Sequence, residues 1–270
     1  MHPDGHLRFD NFVVGSANRL AAAAARAVAE APGSVYNPLF IYSASGLGKT
    51  HLAAAIGWHA RERQPGLVVE YATVDELVEQ LHVAVSTGQG EAFRQRHARV
   101  DVLLLDDVQF LTGRRETQAE LLRLFNLLQE DGRQIVMTSD RAPAEIADVD
   151  ERLVSRLSGG LIVDIGAPDF ETKVAILRRK CSERDLRLDA DVLEEVARME
   201  FASVRELQGA LNRLAAIAAL DPSEVHAANV RRLLGGRPPT PRATPPVADG
   251  EYMSFVADVA AAVATWGVEW

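Results

Sequence analysis

Mostly apolar runs at 39–42, 67–72, 100–105, 134–138 and 161–165 are separated by longer stretches of helical periodicity at 49–63, 74–85, 117–130 and 143–147. Runs this continuous in apolar residues suit strands covered on both faces. Strands alternating with helices predict an α/β fold around a mostly parallel sheet. After residue 165 the strand-like runs stop. Residues 169–184, 190–198 and 204–220 read as helices and predict a small helical subdomain. Residues 235–250 hold five of the chain's twelve prolines and read as a linker. Beyond them Phe255, Val259, Val263 and Trp266 share one helical face. The expected organisation is a nucleotide-binding subdomain at 1–166, a helical lid at 167–234, a linker at 235–250 and a short amphipathic segment at 251–270.

The chemistry sits where strands end. Leu39–Tyr42 runs into Ser43-Ala44-Ser45-Gly46-Leu47-Gly48-Lys49-Thr50-His51 and then into a helix-forming stretch. A strand, a glycine loop and a helix start make a phosphate cradle: backbone N–H groups wrap the anion, and the helix opens with its positive end toward it. Lys49 is placed to reach the β- and γ-phosphates, and Thr50 to hold Mg²⁺. The loop opens on Ser43 where glycine is usual, and serine tolerates a positive φ poorly. A second strand, Val102-Leu103-Leu104-Leu105, ends in Asp106-Asp107. These acids fall at the tip of a buried strand, where a metal and an attacking water belong. Asp106 suits the metal, through water, and Asp107 suits orienting or deprotonating the nucleophile.

Composition narrows the function further. The chain has 270 residues, a net charge of −9, 47% apolar and 25% charged residues, and one cysteine, Cys181. No apolar run is long enough to span a bilayer, and the start carries no secretory pattern, so a cytoplasmic location with no membrane partner is expected. An acidic balance argues against a protein that coats duplex DNA, since such binding draws on neutralised phosphates.

Together with the glycine loop, six further motifs in order resemble the AAA+ ATPase domain of the DnaA family of bacterial replication initiators. Phe9-Asp10-Asn11-Phe12-Val13-Val14-Gly15 resembles the segment that wraps the adenine, and Tyr36-Asn37-Pro38 the entry to the first strand. The glycine loop follows, then Asp106-Asp107-Val108-Gln109-Phe110-Leu111. Thr138-Ser139-Asp140-Arg141 is similar to the sensor loop. Arg152-Leu153-Val154-Ser155-Arg156 and Val204-Arg205-Glu206-Leu207 are similar to the last two signatures. The likeness spans about residues 8–220.

The resemblance implies an AAA+ P-loop NTPase fold, with a parallel five-stranded sheet and a helical lid, that binds ATP or ADP with Mg²⁺. It implies nucleotide contacts from Val14, Gly46, Gly48, Lys49, Thr50, His51 and Arg205, with Thr50 and Asp106 at the metal. Asp107 and Ser139 or Asp140 would act on the attacking water or the γ-phosphate. Arg156 would be an arginine finger entering the site of a neighbouring subunit, either another copy of the chain or a DnaA-like partner. Single-stranded DNA would meet 82–99 and the loop at 113–118, through Arg114, Arg115 and Thr117. Glu116 stands where the family commonly places a basic residue, so weak, salt-sensitive binding is expected. No duplex-reading domain is expected.

The implied function is an ATP-dependent assembly switch in the initiation or regulation of replication, with slow hydrolysis. Two alternatives remain open: an adaptor of the Hda kind that stimulates hydrolysis on a DnaA partner, and a nucleotide-gated interaction module with little catalysis. Ser158-Gly159-Gly160 departs from the aromatic pattern expected after the finger helix, which leaves the packing of Arg156 open.

Overall fold

The computed structural model describes residues 5–235. Helix α1 (Arg19–Glu30) precedes strand β1 (Leu39–Tyr42). Helix α2 (Lys49–Arg63), strand β2 (Val69–Thr73), helices α3 (Val74–Ser86) and α4 (Gly90–His97) and strand β3 (Val102–Asp106) follow. Then come α5 (Arg115–Glu130), β4 (Gln134–Ser139), α6 (Glu151–Leu157) and β5 (Leu161–Asp164). The helices α7 (Phe170–Glu183), α8 (Ala190–Arg198), α9 (Val204–Leu220) and α10 (Ala227–Leu234) complete the described chain.

The sheet is parallel throughout, in the order β2-β3-β4-β1-β5. Its centre is apolar on both faces, as the continuous runs require. Leu39 and Ile41 face the same core as Leu52 and Ile56 of α2, while Phe40 between them packs with Phe125 and Leu128 of α5. Val102 and Leu104 alternate with Leu103 and Leu105 in the same way. Successive side chains of a strand point to opposite faces, so the central strands β1, β3 and β4 support two cores at once. Each fully buried Leu, Ile or Phe contributes about 1.5–3 kcal/mol relative to exposure.

Three features differ from the sequence expectation. Helix α1 is built on Ala21–Ala25 and lacks the large apolar side chains that make periodicity visible. Alanine is the strongest helix former, and α1 packs on α2 with Ala21, Ala24, Ala25 and Val28 in the same core as Ala55 and Ile56. The expected helix at 143–147 is only a 3₁₀ turn, Pro143–Glu145. The strand expected from residue 100 begins at Val102, because the Asp101 carboxylate accepts from the Val68 N–H and closes the sheet's end there.

The chain up to Val230 forms one compact unit, within which α7 packs against α8 and α9. Leu177, Val192, Val196, Leu207, Leu211 and Leu214 are buried within it. The second unit starts at Arg231 and contributes only the last turn of α10 and Gly235 to the described residues. The rest of the expected linker at 235–250, and all of the segment at 251–270, lie outside them. Among the described residues no helix is long and apolar enough to cross a membrane.

Candidate nucleotide site

In a parallel sheet every strand delivers its last residue to the same edge. Here β1 delivers the glycine loop, β3 delivers Asp106 and Asp107, and β4 delivers Thr138, Ser139 and Asp140. The central strands β1 and β4 are neighbours, and the Ser43 N–H donates to the Ser139 carbonyl at 3.1 Å, which fastens the loop's origin to the sensor strand.

The loop turns on two left-handed residues, Gly46 at φ 78° and Gly48 at φ 109°. Gly48 also begins α2 as its N-cap residue. Any side chain is strained at such angles, and a Cβ on Gly48 would press the ring of Phe12. Ser43 is not among the positive-φ residues, so serine carries no backbone penalty at the loop's first position. Lys49 is 7% exposed. Its ammonium donates to the carbonyls of Ser43 and Ala44, at 2.8 and 3.3 Å. Burial lowers its pKa, while Asp107, Asp106 and Asp140 oppose that shift.

Thr50 and Asp106 meet directly: the threonine hydroxyl donates to Asp106 Oδ2 at 2.8 Å. The carboxylate also accepts from Thr138 at Oδ1 and from Tyr71 at Oδ2. Asp107 follows in a left-handed conformation at φ 60°. Its N–H donates to Thr138 Oγ1 at 3.1 Å. Gln109 spans the gap to β4: its amide N–H donates to Asp107 Oδ1 at 3.0 Å and its carbonyl oxygen accepts from the Asp140 N–H at 3.1 Å. The Asp140 carboxylate itself takes a two-pronged bond from Arg141, at 2.7 and 2.9 Å, which holds it below the usual carboxylate range.

An oxygen-only pair, the Thr50 hydroxyl beside the Asp106 carboxylate, fits a hard cation such as Mg²⁺, which keeps much of its water and shares phosphate oxygens. The pair converges without any rearrangement of backbone.

Beside the loop lies a cavity of about 200 Å³ lined by Phe12, Val13, His51, Ile165, Ile176 and Gln208, among others. His51 Nε2–H donates to the Arg8 carbonyl at 2.8 Å, and burial lowers its pKa. Across the cavity Arg179 donates to Asn11 at 2.6 Å. Val14, expected in the nucleotide site, is 48% exposed, while its neighbours Phe12 and Val13 form the lining.

Helix α9 meets the loop at its first turn. Ser203 caps that helix by accepting from the Glu206 N–H, and Glu206 accepts in return from the Ala202 N–H. The Val204 N–H donates to the Gly46 carbonyl at 3.0 Å. Arg205 therefore stands over the loop, with a guanidinium nitrogen 3.5 Å from Ser45 Oγ. Its adjacent acid, Glu206, is occupied by capping.

The remaining expected residues do not join this group. Among the described residues the Arg156 side chain on α6 has one hydrogen bond, to Gln129 at 3.5 Å, and none to the nucleotide site. The Ser158-Gly159-Gly160 turn has a steric cause. A Cβ on Gly160 would overlap the Pro38 carbonyl, against which β5 starts. Arg114 pairs with Asp75 of α3 at 2.7 Å, and Thr117 is only 6% exposed. Arg115 lines an open groove between α3 and α5, together with Glu116 and Arg123. Tyr71, Gln109 and Thr138 were given no role by sequence reasoning. Two of them lie inside quoted motifs, but nothing in a one-dimensional pattern says which carboxylate each hydroxyl or amide meets.

The profile of the bacterial DnaA ATPase domain matches residues 4–164. Among solved structures, domain III of the Thermotoga maritima replication initiation protein DnaA is 39% identical with a TM-score of 0.81, over 86% of this chain and 97% of that one. DnaA from Aquifex aeolicus, solved with AMPPCP bound, is 36% identical with a TM-score of 0.75, over 85% of this chain and 70% of that one. A replication initiator DnaA solved with AMPPCP and single-stranded DNA is likewise 36% identical at a TM-score of 0.75. The Holliday junction motor RuvB of Thermotoga maritima, 18% identical at a TM-score of 0.62, shares the fold.

Proposed function

This chain belongs to the bacterial DnaA ATPase-domain family, and from that premise we propose that it is an ATP-dependent assembly switch acting in the initiation or regulation of replication. The observation that carries the reading is the convergence of Lys49, Thr50, Asp106, Asp107 and Arg205 at one sheet edge, while Arg156 stands apart, exposed and with one neutral partner.

The relatives solved with AMPPCP support an adenine nucleotide as the ligand. Its base suits the apolar cavity beside Phe12 and Val13, and its phosphates suit the loop amides and Lys49. Lys49 leaves the loop carbonyls for the β- and γ-oxygens, exchanging neutral acceptors for charged ones. Thr50 and Asp106 would hold Mg²⁺, which neutralises charge on those oxygens. Asp107 accepts a proton from, or aligns, the attacking water, and Gln109 keeps it facing the Asp140 loop. Arg205, at the start of α9, reports phosphate occupancy to the lid, because the same helix is fastened to Gly46.

Arg156 then completes the site of a neighbour, a second copy or a DnaA-like partner. A cation supplied in trans stabilises the charge of the transition state and makes hydrolysis depend on assembly. Binding of single-stranded DNA, as in one relative, is weak and salt-dependent here: Arg114 is taken by Asp75, Thr117 is covered, and Glu116 adds a negative charge. A cytoplasmic protein is consistent with that task.

Sedimentation with ATP, with ADP and without nucleotide, each with and without an oligonucleotide, tests the reading. Larger species with ATP alone are expected. An adaptor would change the partner's hydrolysis rather than its own sedimentation, and a passive module would change neither. Absence of any thermal shift with Mg²⁺ and adenine nucleotides would falsify the account at its root.

A further inference from the structure

Asp106 is 3% exposed, and among the described residues every hydrogen bond to its side chain comes from a hydroxyl. Thr138 donates to Oδ1. Thr50 and Tyr71 both donate to Oδ2, at 2.8 and 2.5 Å. Two of these donors belong to the obvious machinery: Thr50 opens the helix after the glycine loop, and Thr138 lies on the neighbouring strand of the sensor loop. Tyr71 does not. It comes from β2, the edge strand, and reaches its carboxylate because β2 pairs with β3 in a register that sets Tyr71 two residues short of the Asp106 level.

We propose that Tyr71 is a positioning residue for the metal-holding group: its phenol pins Asp106 Oδ2, and through Asp106 it fixes the rotation of the Thr50 hydroxyl. A threonine hydroxyl has one proton and two lone pairs. With the proton committed to Asp106, the lone pairs are left for a cation. If the carboxylate turns, the hydroxyl turns with it and the cation loses an aligned oxygen. Partners that orient a metal's ligands change metal affinity by roughly 10–100-fold when removed.

The surroundings keep the phenol in this one role. Its ring lies beside Ala54, Gly57 and Leu104 in a small apolar recess behind the sheet edge. The phenol donates its proton to the carboxylate of Asp106, an acceptor only, which fixes the direction of the bond. The ring's packing does not need the hydroxyl, and the hydroxyl's partner does not need the ring. Substitution can therefore separate the two.

This inference rests on the nucleotide reading above, and the test keeps the two apart. ADP binding to the whole chain is titrated in EDTA and then across a Mg²⁺ series, for the natural protein and for Tyr71→Phe. Bound Mn²⁺ on the protein–ADP complex is counted directly by electron spin resonance. The expected result is ADP affinity in EDTA within about twofold of the natural protein, with a half-saturating Mg²⁺ or Mn²⁺ concentration raised about tenfold. Thr138→Val, which frees the other carboxylate oxygen, is the companion variant and is expected to shift the metal requirement in the same direction.

An unchanged metal requirement in Tyr71→Phe overturns the proposal. An equal loss of ADP affinity with and without metal also overturns it, because that pattern marks a structural residue. If Tyr71→Phe does not fold, an unchanged metal requirement in Thr138→Val overturns it instead. Failure of the natural protein to bind ADP under either condition overturns the nucleotide reading and this inference together.

Discussion

The edge that gathers the phosphate chemistry and the face that carries Arg114 and Arg115 are built on opposite principles. At the first, the polar side chains hold one another: Thr50 is held by Asp106, Asp106 by Tyr71 and Thr138, and Asp107 by Gln109, which also holds the Asp140 main chain. At the second, Arg114 is neutralised by Asp75, its exposed partner on α3, and Arg115 lines an open groove. Small ligands of fixed geometry reward preorganised groups, since little is left to order on binding. A polyanion recognised through its backbone rewards net charge, and that is scarce here. The difference separates an edge built for a small ligand of fixed geometry from a face with little charge to offer a polyanion.

The largest expected effect would break the comparison from outside both regions. Arg156→Ala is expected to leave ATP affinity intact and to remove the part of hydrolysis that rises with protein concentration, by up to about 10³-fold if the finger acts as it does in GTPases. A concentration series of turnover rates measures this, and equal rates at all concentrations in the natural protein would count against a finger acting in trans.

Lys49→Ala tests the built edge itself. Charged hydrogen bonds of the kind Lys49 would make to phosphate are worth about 1.5–3 kcal/mol each. Nucleotide affinity should therefore fall by about 100-fold or more, read by calorimetry; unchanged affinity would show that the loop is an ordinary turn.

A smaller effect sharpens the contrast at the basic face. Asp75→Asn releases Arg114 from an exposed pair, and such pairs are worth about 0.2–1 kcal/mol. Oligonucleotide binding at low salt should tighten by at most about fivefold and lose that gain as salt rises. Tight binding at high salt in the natural protein would mean the face is better built than its charges suggest.

The smallest effect concerns Asp169, which caps α7 by accepting from the Thr172 N–H. Donors from Ser16 and Thr172 hold the Asp169 carboxyl at about 2, below its usual 3.8. A carboxyl whose folded value is depressed stabilises above its unfolded value and loses that contribution as pH falls toward its folded value. The difference in melting temperature between the natural protein and Ser16→Ala should be present at pH 5 and vanish as pH falls from about 4 to 2.

The reading of 43–51 and 102–107 needed no structure because the chemistry there is contiguous. A glycine loop and a strand with acids at its end carry their geometry within nine and six residues. The parallel sheet was legible for a related reason: strands buried on both faces cannot alternate, and continuous apolar runs say so. Helix α1 escaped because its buried face is mostly alanine, although Arg19, Arg26 and Glu30 leave that face to Ala21, Ala22, Ala25, Val28 and Ala29. Arg205 was placed from the resemblance alone; its position over Ser45 depends on how α9 caps and docks, through Ser203 and Gly46. Tyr71 escaped altogether, as one aromatic residue among others on an edge strand.

By itself, then, the sequence determined the ligand class, the strand–helix alternation and the two acids at the tip of β3, because each is written in neighbouring residues. Only the tertiary structure decided which hydroxyls hold Asp106, that Gln109 joins Asp107 to the β4 loop, and that Arg114 is spent on Asp75. Those contacts join positions 31 to 56 residues apart, and they exist only once strand order and register have set the distances.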